Sequence, residues 1–310
     1  MHPNMRASVA PITVAISGAT GLIGSALAAH LRAKGHTVRR LVRSGERQPG
    51  DIPWDPARGV LDAHDLEGTE AIVHLAGAPV AQRWTDARKR EILESRLTGT
   101  AVIARAISEL DTKPRVMLSG SAIGYYGNRG DEQLDERSTP GSDFLAGVVR
   151  AWEAAAEPAA AAGVRVVLLR TGIVLSPDGG ALEKMLLPFK LGVGGPMGGG
   201  RQWMSWISLG DQLRAMEHAL FTEGLTGPAN LVAPNPETNA TFATTLGRVL
   251  NRPALLPLPG FALDLMFGEM AEATILGGQR VAPTALVAAG FEFTEPTLEG
   301  ALRAVLHATA

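Results

Sequence analysis

The sequence predicts an α/β fold: a doubly wound parallel sheet with a smaller α+β domain toward the C-terminal end. Three observations predict it. The apolar run Val14-Ala15-Ile16-Ser17 leads into Gly18, Gly21 and Gly24, spaced three apart, and then into the Ala- and Leu-rich stretch Ser25 to Leu31. Apolar runs then alternate with helical periodicities as far as about Leu175, the pattern of strands joined by helical crossovers. A chain of 310 residues with 45% hydrophobic content has core enough for one large α/β domain, or a main domain with a smaller second one.

The elements follow in order. Ile12 to Ile16 is the first strand, after a leader to about Pro11 that shows no periodicity. Ser25 to Lys34 is the first helix, with Gly35 as its C-cap. Thr37 to Val42, Ile52 to Asp55 and Ala71 to Leu75 read as the next strands. Thr85 to Leu110 is a long helix, because Ile92, Leu97, Ala101, Ile103, Ala104 and Ile107 recur at helical spacing. Arg115 to Leu118 is a strand running into Ser119-Gly120-Ser121, Phe144 to Ala162 a helix, and Val164 to Leu169 a buried strand. Past Leu175 the alternation stops. Helical patterns remain at Asp211 to Leu220, Thr241 to Leu250, Ala262 to Leu276, Pro283 to Ala289 and Leu298 to His307.

Bulk composition excludes several functions. Lys and Arg number 29 against 31 acidic residues, a balance of −2 that offers no electrostatic footprint for nucleic acid or an anionic membrane. There is no Cys, which removes disulfides, thiolate metal sites and a cysteine nucleophile, and no metal is expected. Ala7 to Leu31 lacks charged residues, yet Pro11 and the three glycines interrupt it, so it reads as buried strand and helix face rather than a signal peptide or membrane span. The expected protein is cytoplasmic, a monomer or homodimer, and acts on a small molecule.

The glycine turn carries the functional signal. A strand, a glycine turn and a helix in that order bring backbone N–H groups and the positive helix terminus to an anion, here the pyrophosphate of a dinucleotide. Gly18, Thr20, Gly21, Leu22, Ile23 and Gly24 form that turn. The plain alternative is a tight βα turn that holds nothing. About 20 residues on, where an acidic side chain would bind the adenosine ribose, stand Arg43 and Ser44, which suit a 2′-phosphate and favour NADP(H) over NAD. An exposed arginine at a strand end is the competing reading. Ligands of such sheets sit beyond the carboxyl ends of the strands. The glycine turn, Arg43, Ala76-Gly77 and Ser119 to Ser121 all fall there. Gly192 to Gly200 holds six glycines around Pro196-Met197, followed by Trp203 and Trp206. It reads equally as a substrate lid or as a surface loop pinned by buried Trp.

These residues resemble the extended branch of the short-chain dehydrogenase/reductase superfamily. Gly18-Ala19-Thr20-Gly21-Leu22-Ile23-Gly24 matches its glycine turn and His74-Leu75-Ala76-Gly77 its fourth-strand signature. The whole chain looks closer to an atypical group, the YfcH-like epimerase/dehydratase proteins. That likeness rests on Leu75-Ala76-Gly77-Ala78-Pro79, Arg83-Trp84-Thr85, Ser95-Arg96-Leu97, Ser121 to Gly127, Trp152-Glu153-Ala154-Ala155 and Gly194 through Ile207. The resemblance implies a Rossmann domain over 12–180, with 205–232 returning to it, and a smaller substrate domain of 181–204 and 233–310. It implies cofactor contacts at His74, Leu75, Ala76, Gly77, Ser119, Arg96 and Glu153, with Glu91 as a candidate to hold Arg96. Glu153 reads equally as an exposed helix charge.

Typical members carry Tyr-x-x-x-Lys, in which Lys lowers the Tyr pKa and Tyr moves the proton. Here that helix reads Phe144 or Leu145 in place of Tyr and Val148 or Val149 in place of Lys. Hydrocarbons do no acid–base work. Ser121, Tyr125 and Tyr126 are the candidate catalytic groups, with aromatic packing as the alternative for the Tyr pair. The nucleotide-sugar-gripping Arg is replaced by Met204, which argues against a UDP-sugar, and Trp203, Met204 and Trp206 point to a more apolar ligand or merely to a filled pocket. Two functions are expected from this: an NADP(H)-dependent epimerase- or reductase-type oxidoreductase of unassigned substrate, or a non-catalytic dinucleotide-binding sensor related to cell division.

Overall fold

The computed structural model describes residues 10–43 and 47–307. Most of the leader before Pro11, and Ser44, lie outside them. A seven-stranded sheet organises the chain. Its first five strands in sequence are β1 (Thr13–Ser17), β2 (Thr37–Val42), β3 (Ile52–Pro53), β4 (Ala71–His74) and β5 (Val116–Ala122). Strands Arg165–Thr171 and Gly227–Leu231 complete it, in the order Gly227–Leu231, Arg165–Thr171, β5, β4, β1, β2, β3. Every pairing is parallel. The order reverses direction at β1, so the carboxyl edge opens into a crevice beside the glycine turn, where Rossmann-like sheets place ligands.

Both faces are covered, which is why the central strands β1 and β4 are almost wholly apolar rather than alternating. On one face Val14, Ile16, Val73 and Leu118 pack against α1 (Leu22–Ala33) and the helix Leu209–Phe221. Leu27 and Leu31 of α1 have no exposed surface, and each such burial stabilises the fold by about 1.5–3 kcal/mol. On the other face Ala15, Ile72 and Met117 meet α2 (Asp86–Glu109) through Val102, Ile103 and Ile107. A separate cluster of Leu182, Phe189, Trp206, Phe242, Leu246, Leu298 and Leu302 lies outside the sheet. The region around it is mainly helical, and its strands Trp203–Met204, Glu237–Thr238 and Arg280–Val281 are two residues long.

Local differences from the sequence pattern have identifiable causes. The helix expected over Phe144 to Ala162 ends as α3 (Phe144–Ala154), and Glu157–Ala161 forms a second one. Pro158 cannot donate within a continuous helix but is tolerated in a new first turn. The helix expected over Ala262 to Leu276 stops at Phe267, where Gly268 turns to a φ of +58°. Helix Gly180–Lys190 is hidden in the sequence by internal Pro188. Strand Gly227–Leu231 is hidden by Gly227-Pro228, and only its edge position lets Pro228 sit in a sheet. Among the described residues no helix is long and apolar enough to cross a membrane.

Candidate functional site

The turn between β1 and α1 is built so that no side chain intrudes. Gly18 has a left-handed φ of +69°, and a Cβ there would stand 2.9 Å from the Ala76 nitrogen. A Cβ on Gly24 would stand 2.2 Å from the Gly18 oxygen. Gly21 donates its N–H to the Gly18 oxygen at 3.0 Å and serves as N-cap of α1. No side chain caps that helix and its first turn has no acid, which leaves the first N–H groups to an anion. Thr20 lies on this turn and Leu22 and Ile23 open α1, where Leu22 also supports Gly179, whose Cβ would meet it at 3.3 Å. The cradle fits a pyrophosphate in both shape and polarity.

Leu75, Ala76 and Gly77 close the cradle from β4. The Leu75 and Ala76 N–H groups donate to Ser17 Oγ at 3.1 and 3.4 Å. Ser17 Oγ lies 2.6 Å from His74 Nδ1. A hydroxyl already accepting twice gives its proton to Nδ1, so His74 carries its own proton on Nε2. That Nε2 is buried without a partner, edge-on to Trp54. His74, expected as a cofactor contact, has no exposed surface and is instead a prop beneath the turn. Ser119 is likewise wholly buried, and its hydroxyl has no hydrogen-bond partner among the described residues. Arg43 is exposed at the carboxyl end of β2, and its expected companion Ser44 lies outside the described residues.

Beyond the cradle opens a cavity of about 890 Å³. Leu145, Val148, Val149 and Trp152 of α3 form one wall, so the positions that lack Tyr and Lys do face the cavity. Phe144 turns away and packs edge-on against Trp84 at 5.1 Å. Arg96 lines the same wall, its guanidinium 5.0 Å from the Trp152 ring. One of its nitrogens, Nη1, donates to the Ala78 and Ile92 oxygens at 3.1 and 3.0 Å. Its other donors make no hydrogen bond among the described residues. Burial lowers its pKa to about 10, which still leaves it a cation at neutral pH. Glu91 does not hold it. That carboxylate is exposed and accepts from Arg88 at 2.5 Å, one helical turn away.

The glycine-rich stretch after Leu191 forms the opposite wall with Val193, Gly194, Gly195 and Met197. It is tightly packed: a Cβ on Gly194 would stand 2.5 Å from the Phe189 ring, and one on Gly195 2.2 Å from the Leu256 oxygen. Trp206 is fully buried, while Trp203 lines the cavity and donates to Asp131 Oδ1 at 2.7 Å. The stretch is thus a pinned loop that also lines the cavity.

Ser121, Tyr125 and Tyr126 are drawn together, but around a buried ion pair rather than the cavity. Arg170 donates to both oxygens of Glu153 at 2.8 Å, with side chains only 4% and 10% exposed. Ser121 Oγ donates to Glu153 Oε1 at 2.6 Å. Tyr126 donates to Asn230 Oδ1 at 2.7 Å and accepts from Arg170 at 3.1 Å. Burial pushes the Tyr126 hydroxyl up to about 12. The Tyr125 ring centroid lies 3.5 Å from the Arg170 guanidinium. Glu153 is therefore neither an exposed helix charge nor a free cofactor contact. Ala122, Ile123 and Gly124 line the cavity, whereas Ser121 and the two Tyr side chains do not. The hydroxyls of Ser121 and Tyr126 are committed to partners that α3, strand Arg165–Thr171 and strand Gly227–Leu231 bring in, while Tyr125 packs its ring on Arg170. Sequence reasoning missed Arg170 and Asn230. A charge closing the apolar run Val164 to Leu169 was the available signal, but its partner lies 17 residues back on another element.

Comparison with known proteins decides the family. The profile of the NAD dependent epimerase/dehydratase family matches residues 14–230. The chain belongs to that family. A domain of unknown function, DUF1731, matches residues 258–305 of this epimerase-family protein. It is 46% identical over 295 residues to an epimerase family protein of Mycobacterium bovis, covering 95% of this chain and 97% of the relative. It is 38% identical over 297 residues to the human epimerase family protein SDR39U1, covering 94% and 99%. The crystal structure of the human protein with NADPH superposes with a TM-score of 0.86 at 36% identity, covering 96% of this chain and 99% of that one.

The buried imidazole under this family member's turn makes stability depend on pH. Burial first, and the charge of Arg96 second, lower the His74 pKa to about 4, while an unfolded chain protonates it near 6.5. Between those values the unfolded state binds more protons, so stability falls as pH falls. Acidifying from pH 7 to 5 should cost about 2 kcal/mol through this group. Urea unfolding at pH 7 and pH 5 measures it, and His74→Asn should flatten the slope. An unchanged slope in that variant would assign the dependence to other groups.

Proposed function

We propose that this epimerase-family protein binds NADPH and acts as a reductase- or epimerase-type oxidoreductase on an apolar-faced carbonyl or hydroxyl compound. One observation carries the reading: a glycine cradle that no side chain enters opens at the same sheet edge as a large apolar cavity. Bound there, the nicotinamide would supply or accept hydride. In this reading the Gly18–Gly24 turn holds the pyrophosphate, Leu75, Ala76 and Gly77 bound the adjoining channel, and Arg43 reads the 2′-phosphate. Arg96 takes the polarising role that no Tyr fills, because it keeps unpartnered donors and lines a mainly apolar cavity, where a charge acts strongly. Glu153 with Arg170 fixes the end of β5, which places Ala122 to Gly124 against the ligand. The NADPH held by the human relative supports the cofactor choice.

Titration of the protein against NADPH fluorescence tests this directly, and absence of saturable binding up to millimolar cofactor would overturn it. Arg43→Ala should weaken NADPH by about 1.5–3 kcal/mol, the usual worth of a hydrogen bond to a charged group, and leave NADH almost unaffected. Equal losses for both cofactors would remove Arg43 from 2′-phosphate recognition.

The hydrocarbon wall of Leu145, Val148 and Val149 favours a second reading, a cofactor-binding sensor that does no chemistry. Tight NADPH binding without cofactor oxidation, across a panel of ketones and aldehydes, would select it.

A further inference from the structure

The cavity does not end at its lining. Its volume of about 890 Å³ stands near the upper end of ligand pockets, room for a nicotinamide end and a second sizeable apolar group. The charged residues lining it are Arg96 and Lys184, with no carboxylate among them. Polar lining groups are largely spoken for: Gln202 donates to the Met197 and Ile275 oxygens, and Ser205 to the Gln279 oxygen. Arg96 keeps free donors, and the indole N–H of Trp152 beside it is buried without a partner. The unpartnered donors of the lining, those of Arg96 and Trp152, therefore gather at one end, against α2 and α3, while Lys184 stands exposed on helix Gly180–Lys190.

At the other end the apolar walls continue onto the surface. Leu187, Leu191 and Val193 are 53–68% exposed on one side. Leu255, Leu256, Phe261 and Leu265 are 55–80% exposed on the other. Two backbone hydrogen bonds, from Leu256 to Gly194 and from Leu258 to Pro196, join the two sides into one strip. Val193, Leu256 and Leu258 belong to both strip and cavity. Phe261 and Leu265 lie one turn apart on helix Gly260–Phe267, whose Leu263 is buried facing inward. Exposed apolar surface of this extent, continuous with a pocket, is functional surface far more often than accident.

We infer that the cavity takes a carbonyl or alcohol compound bearing a long hydrocarbon chain, its oxygen at Arg96 and Trp152 and its chain leaving between helices Gly180–Lys190 and Gly260–Phe267. The inference rests on the proposed oxidoreductase reading and names its substrate class. A chain threading this path removes apolar surface on both partners along its whole length, and gains affinity with each methylene until it passes the rim.

The test is a chain-length series of methyl ketones, 2-hexanone to 2-dodecanone, bound to the full chain by calorimetry with and without NADPH. NADPH affinity is measured separately by its own fluorescence. Each added methylene is expected to tighten ketone binding by about two- to fourfold. Val193→Asp and Leu256→Asp should weaken 2-dodecanone at least tenfold and 2-hexanone much less. Normal NADPH binding with a flat series overturns the inference and leaves the proposed function standing, whereas loss of NADPH binding with a rising series does the reverse. A flat series in a protein that is dimeric, and that turns monomeric with Phe261→Asp and Leu265→Asp, would make a second copy of this chain the occupant of the strip and overturn the inference as well.

Discussion

Gly24→Ala is expected to abolish saturable NADPH binding while leaving a folded protein. The added methyl would stand 2.2 Å from the Gly18 oxygen and 2.8 Å from the Gly18 carbon, both backbone atoms that no rotamer change can move. Relief requires the first turn of α1 to slide away from the glycine turn. That slide spoils two things together: the N–H groups leave the anion site, and Leu27 and Leu31 on the same helix are levered out of register with the sheet. Overpacking of this kind costs about 1–3 kcal/mol of stability. The loss of binding should be far larger in proportion, because the pyrophosphate is held by backbone N–H groups that need the turn intact. Gly35→Ala is the matched control. Gly35 has a left-handed φ of +89° but nothing within 4 Å of its Cβ position, so it should lose about 1–2 kcal/mol of stability and no affinity. Unchanged NADPH affinity in Gly24→Ala would show that the dinucleotide does not use this turn.

Arg170→Met should destabilise the fold by about 3–5 kcal/mol, the usual result of removing one partner from a buried ion pair. Glu153 would be left charged and nearly enclosed, with Ser121 its remaining donor, and Tyr126 would lose the arginine beside its hydroxyl. The double variant Glu153→Leu, Arg170→Met should recover a good part of the loss, since no charge stays stranded. Urea unfolding of the single and double variants measures both. A cost below about 1 kcal/mol for Arg170→Met would mean that water reaches the pair, as at an exposed salt bridge. The pair matters to the candidate site through position. It ties the end of β5 to α3 and to the neighbouring strand, and Ala122 to Gly124 line the cavity just beyond. Partial loss of ketone binding with intact NADPH binding would mark this positioning role in the variant that still folds.

The missing Tyr and Lys acquire a physical meaning from these contacts. In their place α3 presents Leu145, Val148, Val149 and Trp152 to the cavity. A cation does stand on that wall, Arg96 of α2 lying over Trp152. The two Tyr residues, the natural suspects by adjacency, are spent on packing around Arg170.

What the sequence by itself determined is what local patterns encode. Glycines at 18, 21 and 24 between an apolar run and a helical one could be read as a phosphate turn, because turn, cap and helix dipole are all properties of neighbouring residues. The strands at Thr37 to Val42 and Ala71 to His74 and the long helix from Asp86 were legible for the same reason, through periodicity and capping. Tertiary structure alone decided which polar groups are free. His74 sits in a signature motif, yet its pairing with Ser17, 57 residues away, turns it into a buried support. Tyr126 finds Asn230 at a separation of 104 residues, and the cavity joins α3 to segments more than a hundred residues later. Such contacts depend on how helices and strands pack, and no window of sequence contains both partners. The glycine turn was therefore readable from neighbours, while which polar groups stay unpartnered beside the cavity was decided by packing.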